Sequence, residues 1–158
     1  MKAQDGITLI ELVVVIGIIT LLLAIGFSFQ GWLKRYNVEK TIRELQIDLQ
    51  LARQKALSEK RVYCVNLSQN SYTIRADDYP PPDGDGECTE NDKKFIEKTG
   101  LRYNIINTLN DSFNFDKEGL TNKNGHIRID EEAYINCINV FSTRLNLGEF
   151  KNGSCVSK

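Results

Sequence analysis

The first third of the chain changes from an almost unbroken apolar run to a helical alternation of apolar and polar residues. Between Ile7 and Phe29 the only ionisable side chain is Glu11, and most other residues are Leu, Ile, Val, Ala, Phe or Gly. A helix of roughly 20 residues crosses the ~30 Å hydrocarbon core of a bilayer. The pattern therefore predicts a transmembrane half of a helix at residues 7–29, with one carboxylate near its start.

Beyond this run, apolar residues recur at spacings of three and four, as they do on one face of an α-helix. No proline occurs between residues 7 and 60, so one continuous helix is predicted there, its second half packing on a globular domain. Phe29, Trp32 and Tyr36 are typical of side chains that anchor a helix at a membrane surface. The predicted packing face consists of Val38, Ile42, Leu45, Leu49, Ala52 and Ala56.

Residues 61–158 contain short alternating segments separated by turn residues, which is typical of antiparallel strands. Residues 68–71 predict a hairpin between strands at 62–67 and 72–76. The expected fold class is α+β, a long N-terminal helix on a small antiparallel sheet or sandwich. Further strands are predicted at 94–97, 101–106, 113–115, 125–129, 134–141 and 144–147.

Residues 77–87 form the clearest loop, because three consecutive prolines stop any helix or strand there. The carboxylates of this loop offer the oxygen ligands that Ca²⁺ prefers, but only fragments of a calcium-loop spacing are present. We expect a solvated acidic loop.

All four cysteines follow the apolar run, without C-x-x-C pairs or the spacing of a zinc site. An even number in an extracytoplasmic domain indicates two disulfides, for which three connectivities exist. Proximity along the chain favours pairing Cys64 with Cys88 and Cys137 with Cys155.

The sequence offers little for catalysis. His126 is the single histidine, and no Ser/His/Asp set, phosphate-binding loop or metal-ligand cluster is evident. We therefore expect neither an enzyme nor a bound cofactor or metal. The 20 basic and 21 acidic side chains give a net charge of −1, so no bulk electrostatic attraction to nucleic acid is expected.

The start of the chain resembles the class III signal of type IV prepilins and pseudopilins. A short charged leader ends in Gly6, and Ile7, Thr8, two apolar residues and Glu11 follow. The resemblance implies a leader at 1–6, cleavage after Gly6 by a prepilin peptidase, and N-methylation of Ile7. It also implies that Glu11 meets the terminal ammonium of a neighbouring subunit during assembly. An ordinary secretory signal peptide cleaved before Phe27 is the alternative.

Residues 51–62 and 113–129 resemble GspH/FimT-type minor pseudopilins. The first has an Ala-Arg-x-x-Ala pattern from Ala52 to Ala56, and the second a Phe-rich strand followed by Gly119. This implies a minor subunit near the tip of a type IV pilus or type II secretion pseudopilus. Its implied partners are other pilin subunits and inner-membrane lipid, with the C-terminal domain extracytoplasmic.

Two other functions stay open. Some FimT-type relatives bind DNA through a Gly-Arg-x-Arg hairpin, but residues 142–146 lack the Gly and the second Arg. Arg128, Arg144 and Lys151 are weak candidates for DNA contact, and nucleic acid is a disfavoured partner. The other alternative is a membrane-anchored periplasmic domain that never polymerises. The charges flanking the apolar run slightly favour the reverse orientation, so the cysteines and the resemblance decide the expected topology.

Overall fold

The computed structural model describes residues 8–80 and 84–158, with the backbone alone for residues 24–28. A single helix, α1, runs over Leu9–Glu59 and contains 51 residues, as the sequence predicts. The chain divides into two compact units, of which the first ends at Lys34 and the second is Arg35–Lys158.

In the first unit, α1 presents exposed apolar side chains. The large apolar side chains from Leu9 to Leu23 have exposed fractions between 49% (Ile19) and 83% (Leu9). The Thr20 hydroxyl donates to the Gly17 carbonyl at 2.8 Å, which satisfies a polar group within the apolar run. In the described part of the chain, no helix combines the length and the apolarity needed to cross a membrane. The division into a leader at 1–6, a helix with a transmembrane half at 7–29 and a domain at 61–158 stays a prediction.

In the second unit, α1 is followed by strands that all pair antiparallel, in two sheets. The strands are β1 Tyr63–Ser68, β2 Ser71–Ala76, β3 Lys93–Lys98, β4 Ile105–Asn107, β5 Ser112–Phe115, β6 Gly125–Ile129, β7 Cys137–Phe141, β8 Arg144–Lys151 and β9 Ser154–Ser157. The first sheet has the order β3-β2-β1-β5 and the second β4-β6-β7-β8-β9. The α+β class is confirmed, and so is the first hairpin, in which Ser68 pairs with Ser71.

One hydrophobic core joins residues 35–59 of α1 to both sheets. The six residues of the predicted packing face are each at most 1% exposed. They meet Ile74 and Phe115 of the first sheet's strands and Ile127 and Ile138 of the second within one buried cluster. Burying one large aliphatic side chain stabilises a fold by about 1.5–3 kcal/mol, so this face accounts for much of the packing of helix on sheet.

Polar side chains also fix the helix on the strands and turns. Burial raises the pKa of Tyr72 most, and the hydrogen bond to Asp48 raises it further. The phenol therefore stays protonated and donates. Such bonds include those from the Tyr72 hydroxyl to the Asp48 carboxylate (2.6 Å), from Arg53 Nε to the Gly119 carbonyl (2.8 Å) and from Gln46 Nε2 to the Leu145 carbonyl (3.2 Å).

The strand predicted at 101–106 is wrong in its first part, since β4 begins only at Ile105. The N–H groups of Leu101 and Ile105 donate to the carbonyls of Asn70 and Gln69, at 2.9 and 2.6 Å. Residues 101–104 are therefore tied to the loop of the first hairpin rather than to a sheet.

The strand predicted at 134–141 also begins too early, since β7 starts at Cys137. The amide of Asn136 donates to the Glu131 carbonyl at 2.9 Å and accepts from the Phe150 N–H at 2.7 Å. Such side-chain bonds to the backbone compete with the strand ladder, which explains the late start.

The strand predicted at 144–147 is too short, since β8 continues to Lys151, and the prediction contains no strand that corresponds to β9. The turn between β8 and β9 is Asn152-Gly153, with φ values of 52° and 82°, as a two-residue type I′ turn requires. The Asn-Gly dipeptide is thus a hairpin signal that the prediction overlooks. The short Ser-Cys-Val-Ser strand gives little pattern of its own.

Candidate assembly site at the start of the helix

Thr8 and Glu11 form a reciprocal pair at the first turn of α1. Thr8 lies just before the helix, and its N–H and hydroxyl both donate to Glu11 Oε2, at 3.3 and 3.2 Å. In return, the Glu11 N–H donates to Thr8 Oγ1 at 3.3 Å. This arrangement is a capping box, which satisfies N–H groups that the start of a helix leaves without intrahelical partners.

The capping box determines where the Glu11 carboxylate lies. It is held back at the N-terminal end of α1, where the positive end of the helix dipole stabilises an anion. Both residues are exposed, and they are surrounded by exposed apolar neighbours such as Leu9 and Leu12. The geometry therefore presents a fixed carboxylate within an apolar surface, which suits pairing with a cation in a medium of low dielectric.

Thr8 is a site residue that the prediction from sequence misses, although Thr-x-x-Glu before an apolar run is a known capping signal. The predicted cleavage residue Gly6 and the predicted new terminus Ile7 lie outside the described residues. Their roles stay predictions.

The segment that contains this pair matches a known motif. Residues 1–27 match the family model described as the prokaryotic N-terminal methylation motif. The match supports a type IV pilin-like precursor that a prepilin peptidase processes and that assembles with other pilin subunits. Neither the comparison with curated proteins nor the comparison with solved structures gives a match.

Two disulfides are present in the second unit, linking Cys64 with Cys88 and Cys137 with Cys155. This is the pairing that sequence proximity favours, and the Cα–Cα distance is 6.0 Å in each. The second bridge joins β7 to β9 beside Gly148 of β8. A Cβ at Gly148 would meet the backbone carbonyl of Val156 first and would lie 3.0 Å from Cys155 Sγ, so a side chain at this position would collide with β9 beside the bridge.

The acidic loop departs from its expected solvated state at Asp77, which is 1% exposed. Its carboxylate accepts hydrogen bonds from the N–H groups of Gly86 (2.8 Å) and Asp85 (3.3 Å). Burial raises the pKa of Asp77 against these bonds, and the negative charge of Asp92 raises it further.

Asp92, which is 3% exposed, lies after this loop and just before β3, and its carboxylate accepts from the start of the loop. Burial alone would raise its pKa, but hydrogen bonds from the N–H groups of Thr89, Tyr79 and Asp78 hold the pKa below its ordinary value. The shortest, from Thr89, is 2.6 Å. Within residues 8–80 and 84–158, no group of three His, Cys, Asp or Glu side chains could hold a metal ion. The two buried carboxylates serve as acceptors for the backbone of the loop.

The three candidate DNA-contact residues do not form one patch. The register places Arg128 opposite Cys137, and Arg144 opposite Phe141, so both arginines project from the same face of the second sheet. Lys151 is seven residues from Arg144 on β8, which places the two on opposite faces and about 23 Å apart along the strand.

Each candidate also has a partner within the domain. Arg128 Cζ lies 4.0 Å from the Phe150 ring centroid, and its guanidinium is 3.5 Å from the Asp130 carboxylate. Arg144 Cζ lies 5.2 Å from the Phe141 ring centroid, and Lys151 Nζ is 2.7 Å from Glu149. Arg128 and Lys151 are thus paired with carboxylates of the domain, whereas Arg144 lies over an aromatic ring.

Proposed function

We propose that this chain is a minor pilin or pseudopilin, a structural subunit incorporated near the tip of a type IV pilus or type II secretion pseudopilus. It is inserted in the inner membrane with its β-rich domain extracytoplasmic, cleaved after Gly6, and methylated at Ile7. The segments at 51–62 and 113–129 support a GspH/FimT-type subunit.

The observation that carries the proposal is the fixed Glu11 carboxylate at the start of a helix whose next residues are apolar and exposed. Cleavage after Gly6 would create an ammonium at Ile7. An isolated charge in hydrocarbon costs several kcal/mol, whereas a carboxylate and an ammonium that meet there neutralise each other. Glu11 of one subunit and the new terminus of a neighbour therefore complement each other and set the axial register of the filament.

The test is the N-terminus of the protein purified from its host. Intact-mass and peptide mass spectrometry should find a chain that begins at Ile7 and carries one methyl group on its terminal nitrogen. An intact Met1, or a terminus at Phe27, would falsify the assignment. A Gly6→Ala variant is the matched control, because it should keep the full leader if the peptidase recognises Gly6.

The two rival functions are separated by two further measurements. A DNA-binding subunit should show an affinity for oligonucleotides that falls steeply with salt and depends on Arg128 and Arg144. A domain that never polymerises should be recovered from the membrane fraction alone. The proposed subunit should appear in sheared or overproduced filaments.

A further inference from the structure

Two asparagines of the chain, Asn124 and Asn152, are each followed directly by a glycine. Glycine has no Cβ to shield its backbone nitrogen, so this nitrogen can reach the carbonyl carbon of the preceding asparagine side chain. When the two atoms bond, a cyclic imide closes and ammonia leaves. The reaction requires that the side-chain amide and the glycine nitrogen are both free, and the fold places the two asparagines in different surroundings.

The reacting groups at Asn152 are open to water. Asn152 and Gly153 are the exposed central residues of the turn between β8 and β9. The ladder of this hairpin closes with Lys151 and Ser154, so the Gly153 N–H lies outside it. Apart from its chain neighbours, none of the described residues comes within 4 Å of the position that a Cβ would take at Gly153. Among the residues that the structure describes, the Asn152 amide also has no hydrogen-bond partner.

Asn124 is exposed as well, but its reacting groups are held by the fold. Its side-chain oxygen accepts hydrogen bonds from the N–H (3.0 Å) and the hydroxyl (3.4 Å) of Ser142. Gly125 is the first residue of β6 and pairs with β7. The His126 N–H donates to Thr108, just after β4, and successive N–H groups of a strand point to opposite sides. The Gly125 nitrogen therefore faces β7, within the ladder.

We propose that Asn152 is a site of spontaneous modification, at which the side-chain amide is replaced by a carboxylate, and that the fold protects Asn124 from the same reaction. The Gly153 nitrogen bonds to the side-chain carbonyl carbon of Asn152, the bond from that carbon to the amide nitrogen breaks, and ammonia leaves with the proton of the Gly153 N–H. Water then opens the imide. Hydrolysis of the new bond gives aspartate, and hydrolysis of the original peptide bond gives isoaspartate. The proposal does not depend on assembly into a filament.

The two products differ in their effect on the hairpin. Aspartate keeps the backbone and adds a negative charge next to Lys151, whose ammonium already lies 2.7 Å from Glu149. Isoaspartate carries its Cβ in the main chain, which lengthens the two-residue turn and no longer fits the pairing of Lys151 with Ser154. The bridge between Cys137 and Cys155 still ties the rest of β9 to β7. The change is thus confined to the turn.

The test compares the two asparagines within one sample. The purified full chain is kept in detergent at mildly alkaline pH, which favours loss of the glycine N–H proton, in water enriched in heavy oxygen. It is then reduced, alkylated and digested in ordinary water, so only conversions before digestion carry the heavy isotope. Mass spectrometry follows the peptides that contain Asn124 and Asn152. A parallel sample is reduced and kept in urea. The control variant is Asn152→Gly, because Gly-Gly also forms a type I′ turn.

In the folded protein, Asn152 should take up heavy oxygen several-fold faster than Asn124. In urea the two rates should converge, because each asparagine precedes a glycine and the fold no longer distinguishes them. Asn152→Gly should abolish uptake at this position and leave the slow uptake at Asn124 unchanged. Equal rates in the folded protein, or faster uptake at Asn124, would overturn the proposal. It would also be overturned if Asn152 were labelled in urea but not in the folded protein, since the turn would then protect it.

Discussion

Thr8 and Glu11 each donate hydrogen bonds to the other and accept them from it, which fixes the Glu11 carboxylate at the start of α1. We expect the carboxylate to have two roles in this position. As part of a capping box, it satisfies the Thr8 N–H at the start of α1. As an exposed anion beside apolar side chains, it is the group that we propose pairs with a neighbouring subunit. The two roles have different chemical requirements, because the cap needs an oxygen acceptor and the pair needs a negative charge.

Glu11→Gln should separate these roles. Glutamine keeps the capping box but has no charge, whereas Glu11→Ala removes both and Thr8→Val removes the cap alone at a cost of about 1 kcal/mol. We expect Glu11→Gln to lose incorporation into filaments as fully as Glu11→Ala, and Thr8→Val to retain most of it. The measurement is the amount of each protein in the cleaved, membrane-resident and filament pools. If Glu11→Gln enters filaments as the parent does, charge pairing is not the role of this residue.

Tyr72→Phe should destabilise the domain by about 1–3 kcal/mol, because it removes a buried donor to a carboxylate. Tyr63→Phe is the matched control. The Tyr63 hydroxyl donates to Glu59, an exposed carboxylate that also pairs with Lys55, so its loss should cost less than about 1 kcal/mol. Urea unfolding of the full chain in detergent measures both. Equal midpoints for the two variants would show that the bond between Tyr72 and Asp48 does not fix the helix.

The parts of the fold that sequence alone predicts are those with a long periodic signal. The packing face of α1 is fixed by spacings of three and four, so Val38 and Ala56 are correctly placed in the core. The start of β7 depends instead on Asn136, whose amide bonds to residues 131 and 150. No local sequence pattern indicates that β7 starts at Cys137. The Asn152-Gly153 turn, by contrast, is a local signal and could have predicted β9.

The candidate site divides in the same way. Glu11 is conspicuous as the one charge in an apolar run, and Thr8 follows from the capping-box spacing. Asp77 could not be predicted as buried, because the Gly86 N–H that reaches its carboxylate comes from nine residues further along a folded loop. The opposite directions of Arg144 and Lys151 follow from the alternation of β8, but only once that strand is known to extend to Lys151.

Removal of each disulfide should lower the free energy of unfolding by about 3 kcal/mol, since the bridges span 24 and 18 residues. The matched variants are the paired substitutions Cys64→Ser with Cys88→Ser, and Cys137→Ser with Cys155→Ser. Thiol labelling of the native, oxidised parent should find no accessible cysteine. Labelling of two or more cysteines would contradict the two-bridge structure, and labelling of one pair would identify which bridge is absent.

Asp77 and Asp92 should respond to pH with opposite signs. The pKa of Asp92 lies below its ordinary value of 3.8, so its ionised form stabilises the folded state above that pH, and the contribution is lost as the pH falls through the lowered pKa. Asp92→Asn should therefore destabilise the domain at pH 7, by about 1–3 kcal/mol, and reduce the loss of stability in acid.

The pKa of Asp77 lies above 3.8, so the folded state holds this proton more tightly than the unfolded chain does. Its ionised form costs stability at pH 7, and the cost disappears as the pH falls through the raised pKa. Asp77→Asn should thus be as stable as the parent or more stable at pH 7. This advantage should shrink as the pH falls towards 4, because the parent regains stability there and the variant does not. The measurement is the urea midpoint of the parent and both variants at several pH values between 3 and 7. A loss of stability at pH 7 in Asp77→Asn equal to that in Asp92→Asn would show that the bonds from Gly86 and Asp85 outweigh the cost of burying the charge.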